Sequence, residues 1–189
     1  MSFCLVIKRG KMPNPLTHIL VMIILVELFR EYFYKGKFPR YYILIAAIAA
    51  VIPDLDYFIY YFLYYQGFSL YEVHRTFLSS IFLPLIFLII GLVIMKFDFN
   101  LKYMKKHQMK LSVILFIFAA GSFIHILLDG IFWGIVMPFY PFSSWEFGLN
   151  LVDSFPESMR TTAGHILDML LLFFWLFWME FKLKISDYF

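Results

Sequence analysis

Long apolar runs, separated by short clusters of basic residues, set the frame of this chain. The clearest run is Thr76 to Met95, twenty residues without a charge. A bilayer core holds no water to satisfy backbone N–H and C=O groups, so a run of this length predicts a helix. Four further runs follow the same logic. The first extends from Pro15 to about Phe33, with its apolar part shortened by Glu27, Arg30 and Glu31, so that part of it can lie along the surface. The second covers Tyr41 to Tyr65 and is interrupted at Pro53-Asp54-Leu55-Asp56, where proline removes a helical hydrogen bond and predicts a kink. The fourth begins near Leu111, and the fifth covers about Arg160 to Phe181. The pattern predicts an all-α polytopic membrane protein with about five membrane-embedded helices in one bundle. Residues 12–189 form that single domain, and residues 1–11 precede it as an N-terminal extension.

Composition supports the same solvent. Hydrophobic residues make up 62% of the chain and charged residues 15%, against about 45–50% and 25% in ordinary soluble domains. Mean hydropathy is +0.80. Outer-membrane barrels alternate weakly rather than carrying long uncharged runs, which sets that class aside. The single Cys4 excludes an internal disulfide and a cysteine-rich zinc site. A formal charge of +3 calls for no nucleic-acid partner, because basic loops orient membrane proteins. If the chain alternates direction at each crossing, eleven of the sixteen basic residues fall on one side: Arg30, Lys35, Lys37, Arg40, Lys96, Lys102, Lys105, Lys106, Lys110, Lys182 and Lys184. The positive-inside bias makes that side cytoplasmic in a multi-pass plasma-membrane protein. Lys8, Arg9 and Lys11 run against the bias and resemble a signal n-region, a conflict that a start at Met12 removes.

Against this background the ionisable residues inside or beside apolar runs stand out: His18, Asp54, Asp56, His74, His125, Asp129, His165 and Asp168. One such group in a bilayer costs roughly 2.5 kcal/mol or more, so eight imply a purpose. All eight approach the same, extracytoplasmic face. His18 opens the first run, and Asp54 and Asp56 lie past the middle of the second. His74 follows it, His125 and Asp129 come late in the fourth, and His165 and Asp168 come early in the fifth.

Histidine and aspartate without cysteine suit zinc or another divalent ion of borderline hardness, manganese included. His125 and Asp129 at i and i+4 share one helix face and can reach one ion; His165 and Asp168 repeat this at i and i+3. A break at Pro53 can turn both Asp54 and Asp56 inward. A catalytic zinc needs about three protein ligands and an open position, where water becomes acidic near neutral pH. The bland alternative for any single histidine is a hydrogen bond between helices, and His165 with Asp168 can be such a structural pair. His107, among lysines on the other face, is a solvated side chain. Tyr57, Tyr60, Tyr61, Tyr64 and Tyr65 form an aromatic belt at headgroup level.

Four segments stand in order along the chain: Pro15-Leu-Thr-His18, Ile52-Pro-Asp-Leu-Asp56, His74-Arg75-Thr-Phe-Leu-Ser-Ser80, and Gly121-Ser-Phe-Ile-His125-Ile-Leu-Leu-Asp129 followed by Gly134 and Tyr140-Pro-Phe-Ser143. Together they resemble the motifs of a known family, the membrane-bound metal-dependent hydrolases related to the YdjM inner-membrane proteins. The resemblance implies a metal site built from His18, Asp54, Asp56, His74, His125 and Asp129. One departure is Ser79, where the family usually carries a second histidine five residues after the first; serine is a poor zinc ligand. The order of histidine, aspartate, histidine and HxxxD is similar, more faintly, to zinc-dependent phospholipase C and single-strand nucleases, which implies phosphoester chemistry.

The expected function is therefore a membrane-embedded metal-dependent hydrolase acting on a small-molecule or lipid-linked phosphoester at the extracytoplasmic face. Asp54 and Arg75 are the candidate catalytic groups, with Arg75 neutralising phosphate charge. Three alternatives come from other classes. An ion or proton transporter needs polar groups continuing to the basic face, and the third and fourth runs offer little beyond Ser112. Bis-histidine haem binding would use the histidines without the aspartates. A non-catalytic scaffold or regulator is kept in view by Ser79. The loop from Pro138 to Arg160 can be a lid or an ordinary surface loop.

Overall fold

A computed structural model describes residues 15–35, 38–67, 78–97 and 109–184. His74 and Arg75, two of the expected site residues, lie outside these segments. Six α-helices are present among the described residues: α1 Pro15–Tyr34, α2 Tyr41–Ala49, α3 Asp56–Tyr64, α4 Phe82–Phe97, α5 Leu111–Leu128 and α6 Glu157–Leu183. No strand occurs among them, only an isolated antiparallel bridge between Val136 and Phe147. The all-helical class therefore stands.

Why each helix starts and stops is mostly local chemistry. Pro15 opens α1, where its missing N–H and fixed φ do no harm. α2 and α3 are one apolar run bent by 48° at a short break, and Ile52–Leu55 forms a tight 3-10 turn with Pro53 in it. The kink expected at this proline is present. α5 continues past Leu128 into a π-helical turn, Asp129–Trp133, closed by the Gly134 N–H donating to the Asp129 carbonyl at 3.0 Å.

The core lies where α1, α2 and α5 meet. Met22 and Val26 of α1, Ala46 and Ala49 of α2, and Ile117 of α5 are buried together. α4 packs along α5, and α6 along α1. Small residues let the backbones approach closely, as membrane interfaces require. A Cβ on Gly121 would stand 2.7 Å from the Ala49 Cβ, so α2 and α5 cross in contact there.

The end of the bundle remote from His18 is tied by polar bonds. Arg30 Nε donates to the Phe38 carbonyl at 2.8 Å, and its guanidinium also meets Glu31 at 2.8 Å and Glu27 at 3.4 Å. The buried Tyr42 hydroxyl accepts the Lys110 N–H at 2.6 Å, satisfying one of the donors that the start of α5 leaves open. Tyr42→Phe should therefore lower stability by about 1 kcal/mol, read as a drop in melting temperature in detergent.

Two helices are long and apolar enough to cross a membrane, Leu111–Trp133 and Glu157–Lys182, and the bent pair of α2 with α3 makes a third. Among the described residues the expected five spans are thus two or three. α4 is apolar but only sixteen residues long, about 24 Å against a hydrocarbon core of about 30 Å. α1 has the length but carries Glu27, Arg30 and Glu31 in its second half. α6 exposes Phe173, Phe174, Phe177 and Phe181, an outward apolar surface suited to lipid rather than water.

The segment after the π turn folds back over it. Val136 and Phe147 exchange both backbone hydrogen bonds at 2.9 Å, and the Leu149 N–H donates to the Gly130 carbonyl at 2.6 Å. The Phe147 ring lies against Gly130, in the space a Cβ there would fill. Leu151–Ser154 then forms a 3-10 turn leading to α6. This connection behaves as a cover for the end of α5.

Candidate functional site

Three helix ends deliver side chains to one buried point. α1 brings His18 in its first turn, α5 brings His125, and the π turn brings Asp129; all three are almost inaccessible to solvent. His18 Nε2 lies 3.3 Å from Asp129 Oδ1, and His125 Nε2 lies 3.5 Å from Asp129 Oδ2. The 3-10 turn adds Asp54, whose Oδ1 is 3.4 Å from His125 Nε2. The two imidazoles stack with centroids 4.0 Å apart and planes 21° from parallel.

His125 is oriented by a backbone carbonyl that the helix break sets free. Its Nδ1 lies 2.7 Å from the Ala50 oxygen, and a carbonyl can only accept, so Nδ1 carries the proton. In a continuous helix the Ala50 carbonyl would bond the N–H three or four residues on. The residue at i+3 is Pro53, which has no N–H, and the Asp54 N–H goes to Val51 at 3.1 Å instead. Gly121, one turn before His125 on the same face, permits the close α2 crossing that brings Ala50 within reach.

Two carboxylates facing one imidazole call for a positive charge, which either a proton on His125 Nε2 or a cation can supply. With Nδ1 donating to Ala50, the Nε2 of a neutral His125 presents a lone pair toward two carboxylates. Neither His18 Nδ1 nor His125 Nε2 has a hydrogen-bond partner among the described residues. The separations of 3.3, 3.4 and 3.5 Å are longer than strong charge-assisted hydrogen bonds. They match the spacing of about 3.3–3.4 Å expected between two ligand atoms that each sit about 2.0–2.1 Å from one tetrahedral zinc. His18, His125 and Asp129 each offer an atom within 4.8 Å of the others, the usual number of protein ligands for an open site.

The other expected residues fall elsewhere. Asp56 is buried at the start of α3, outside that three-residue group. His165 is exposed on α6 and does not join it. Asp168 is buried, and its Oδ1 accepts the Thr17 hydroxyl, so it braces the residue beside His18 rather than joining the group. Sequence reasoning missed Thr17 and the Ala50 carbonyl. The signal for the second was in Pro53, which deprives Ala50 of its i+3 partner. Ser79 is fully buried with its hydroxyl unbonded among the described residues.

These features define a helical membrane protein whose helix ends converge on a buried histidine–aspartate cluster. A family model described as YdjM inner membrane protein matches residues 12–185 of the chain. The chain therefore belongs to the YdjM inner membrane protein family, and its apolar helices agree with residence in that membrane. No curated protein and no solved structure matches it.

Proposed function

We propose that this protein is a membrane-embedded metal-dependent hydrolase in which His18, His125 and Asp129 hold one divalent cation, zinc or manganese. The observation that supports this most is the convergence of two imidazole nitrogens on one buried carboxylate at 3.3–3.5 Å. When bound, such an ion supplies Lewis acidity toward a phosphoryl oxygen and acidifies water toward neutral pH. The chain's own residues orient and move protons around it. Ala50 fixes the His125 tautomer, and Asp129 faces both imidazoles. Asp54, whose side chain is 15% exposed, is the carboxylate that an incoming molecule can reach, and it acts as proton acceptor. Arg75 is assigned to charge neutralisation on the substrate phosphate. Asp56, outside the three-residue group, has no ligand role in this reading, and His74 lies outside the described residues.

The exposed apolar residues near Asp54 in sequence, Leu55 and Phe58, support an amphiphilic substrate, and Phe142 and Trp145 on the connection after the π turn are exposed as well. An amphiphile with a phosphoester head and a chain left in the bilayer fits this better than a freely soluble phosphate. By the positive-inside bias, the eleven basic residues counted on one side favour a site that opens on the other, extracytoplasmic side. The buried, unbonded Ser79 hydroxyl favours a single ion over a pair, and it is also what a non-catalytic relative would carry.

Metal content per chain, measured by mass spectrometry on untagged protein, tests the proposal. About one zinc or manganese in the wild type and none in Asp129→Ala is the expected result. Folded wild-type protein without metal, or Asp129→Ala retaining it, would overturn the assignment.

A further inference from the structure

The two imidazoles of the cluster are held by different means. His125 has a hydrogen bond from Nδ1 to Ala50 that sets its ring. His18 has none: both its ring nitrogens are buried without a hydrogen-bond partner among the described residues. Its position depends on the stacking against His125, on the 3.3 Å approach of Nε2 to Asp129 Oδ1, and on where the first turn of α1 sits. That turn is fixed by its neighbour, because the buried Thr17 hydroxyl donates to Asp168 of α6.

α6 is seated to do this. Gly164 lies one turn before Asp168 on the same face, and the Trp133 indole occupies the space that a Gly164 Cβ would fill. Trp133 ends the π turn that Asp129 begins. One face of α6 thus touches the segment carrying Asp129 through Gly164, and the segment carrying His18 through Asp168. His165, between them in sequence, is exposed.

We infer that Asp168 is a positioning residue, which fixes His18 through the Thr17 hydroxyl so that α6 braces the cation site without contributing a ligand. The inference rests on the cation-site reading above and adds a role for α6 that the motif spacing of His165 and Asp168 does not suggest. Metal-ligating histidines usually depend on such outer partners, whose loss costs about 10–100-fold in affinity.

A cobalt(II) titration of the untagged full-length protein in detergent tests it, reading both Kd and the visible absorption that reports coordination geometry. Wild type should bind one cobalt. Thr17→Val, nearly isosteric, and Asp168→Ala should weaken binding by about 10–100-fold and alter the absorption, while Thr17→Ser and Asp168→Asn, which keep the donor and an acceptor, should stay close to wild type. If Asp168 were itself a ligand, Asp168→Asn would lose binding as Asp168→Ala does and Thr17→Val would leave it intact. If the bond served only helix packing, both disruptive variants would melt at lower temperature with unchanged Kd and spectrum. Either pattern overturns the positioning role. A wild type that binds no cobalt overturns the cation-site reading itself, and the positioning role with it.

Discussion

Replacing His125 with alanine is expected to abolish metal retention and to lower stability by about 3 kcal/mol. The imidazole faces Asp54 and Asp129 through Nε2 at 3.4 and 3.5 Å and is bonded to Ala50 through Nδ1. Its removal leaves two carboxylates converging in a closed site with one imidazole in place of two, and frees a buried carbonyl as well. The measurement is a chelator competition for bound zinc, paired with thermal unfolding in detergent. A purely structural His125, charged and acting as counter-ion, would give the stability loss alone. Chelator added to the wild type separates the two cases. A bound ion contributes stability in proportion to RT ln(1 + [L]/Kd), so stripping it should lower the wild-type melting temperature and leave His125→Ala unmoved.

The second large effect is expected from a residue that touches no ligand atom. Gly121→Leu places a side chain where even a Cβ would meet Ala49 Cβ at 2.7 Å and its carbonyl oxygen at 3.1 Å. Overpacking of this kind costs about 1–3 kcal/mol. Here it also pushes α2 from α5 at the level where Ala50 reaches His125, so zinc affinity should fall by about 10–100-fold. Ala49→Gly added to Gly121→Ala should recover affinity relative to Gly121→Ala alone, a coupling that a double-mutant cycle reads directly. Additive losses in that cycle would show that the crossing does not set the imidazole.

Much of the cluster was legible in the sequence because ionisable groups are costly in apolar segments. His18, Asp54, His125 and Asp129 announced themselves on that ground, and His125 and Asp129 on their i, i+4 spacing. The bend at Pro53 was legible for the same local reason that makes it bend. His165 and Asp168 lie outside the three-residue group, since spacing gives a shared helix face without giving the direction in which that face packs. Gly164 against Trp133 and Thr17 against Asp168 decide it, and both contacts are long-range. The number of spans among the described residues was over-read because the length of an uncharged run is not that of its helix: the run Thr76 to Met95 holds the start of α4 only at Phe82, and the helix ends at Phe97. The π turn and the folding back of Phe147 onto Gly130 have no periodic signature at all.

The break after α2 has a consequence for how substitutions in this chain are read. The atom that orients His125 belongs to the main chain of Ala50, so its chemistry survives any small side chain at that position. What makes it available is a residue three places on that never meets the imidazole. Pro53 acts by withholding a donor, and a replacement that restores an N–H there sets up a rival for the same oxygen. Comparison of side chains alone would credit Asp54 with the importance of this stretch and pass over Pro53 as a mere bend, when the two hold the centre by independent means.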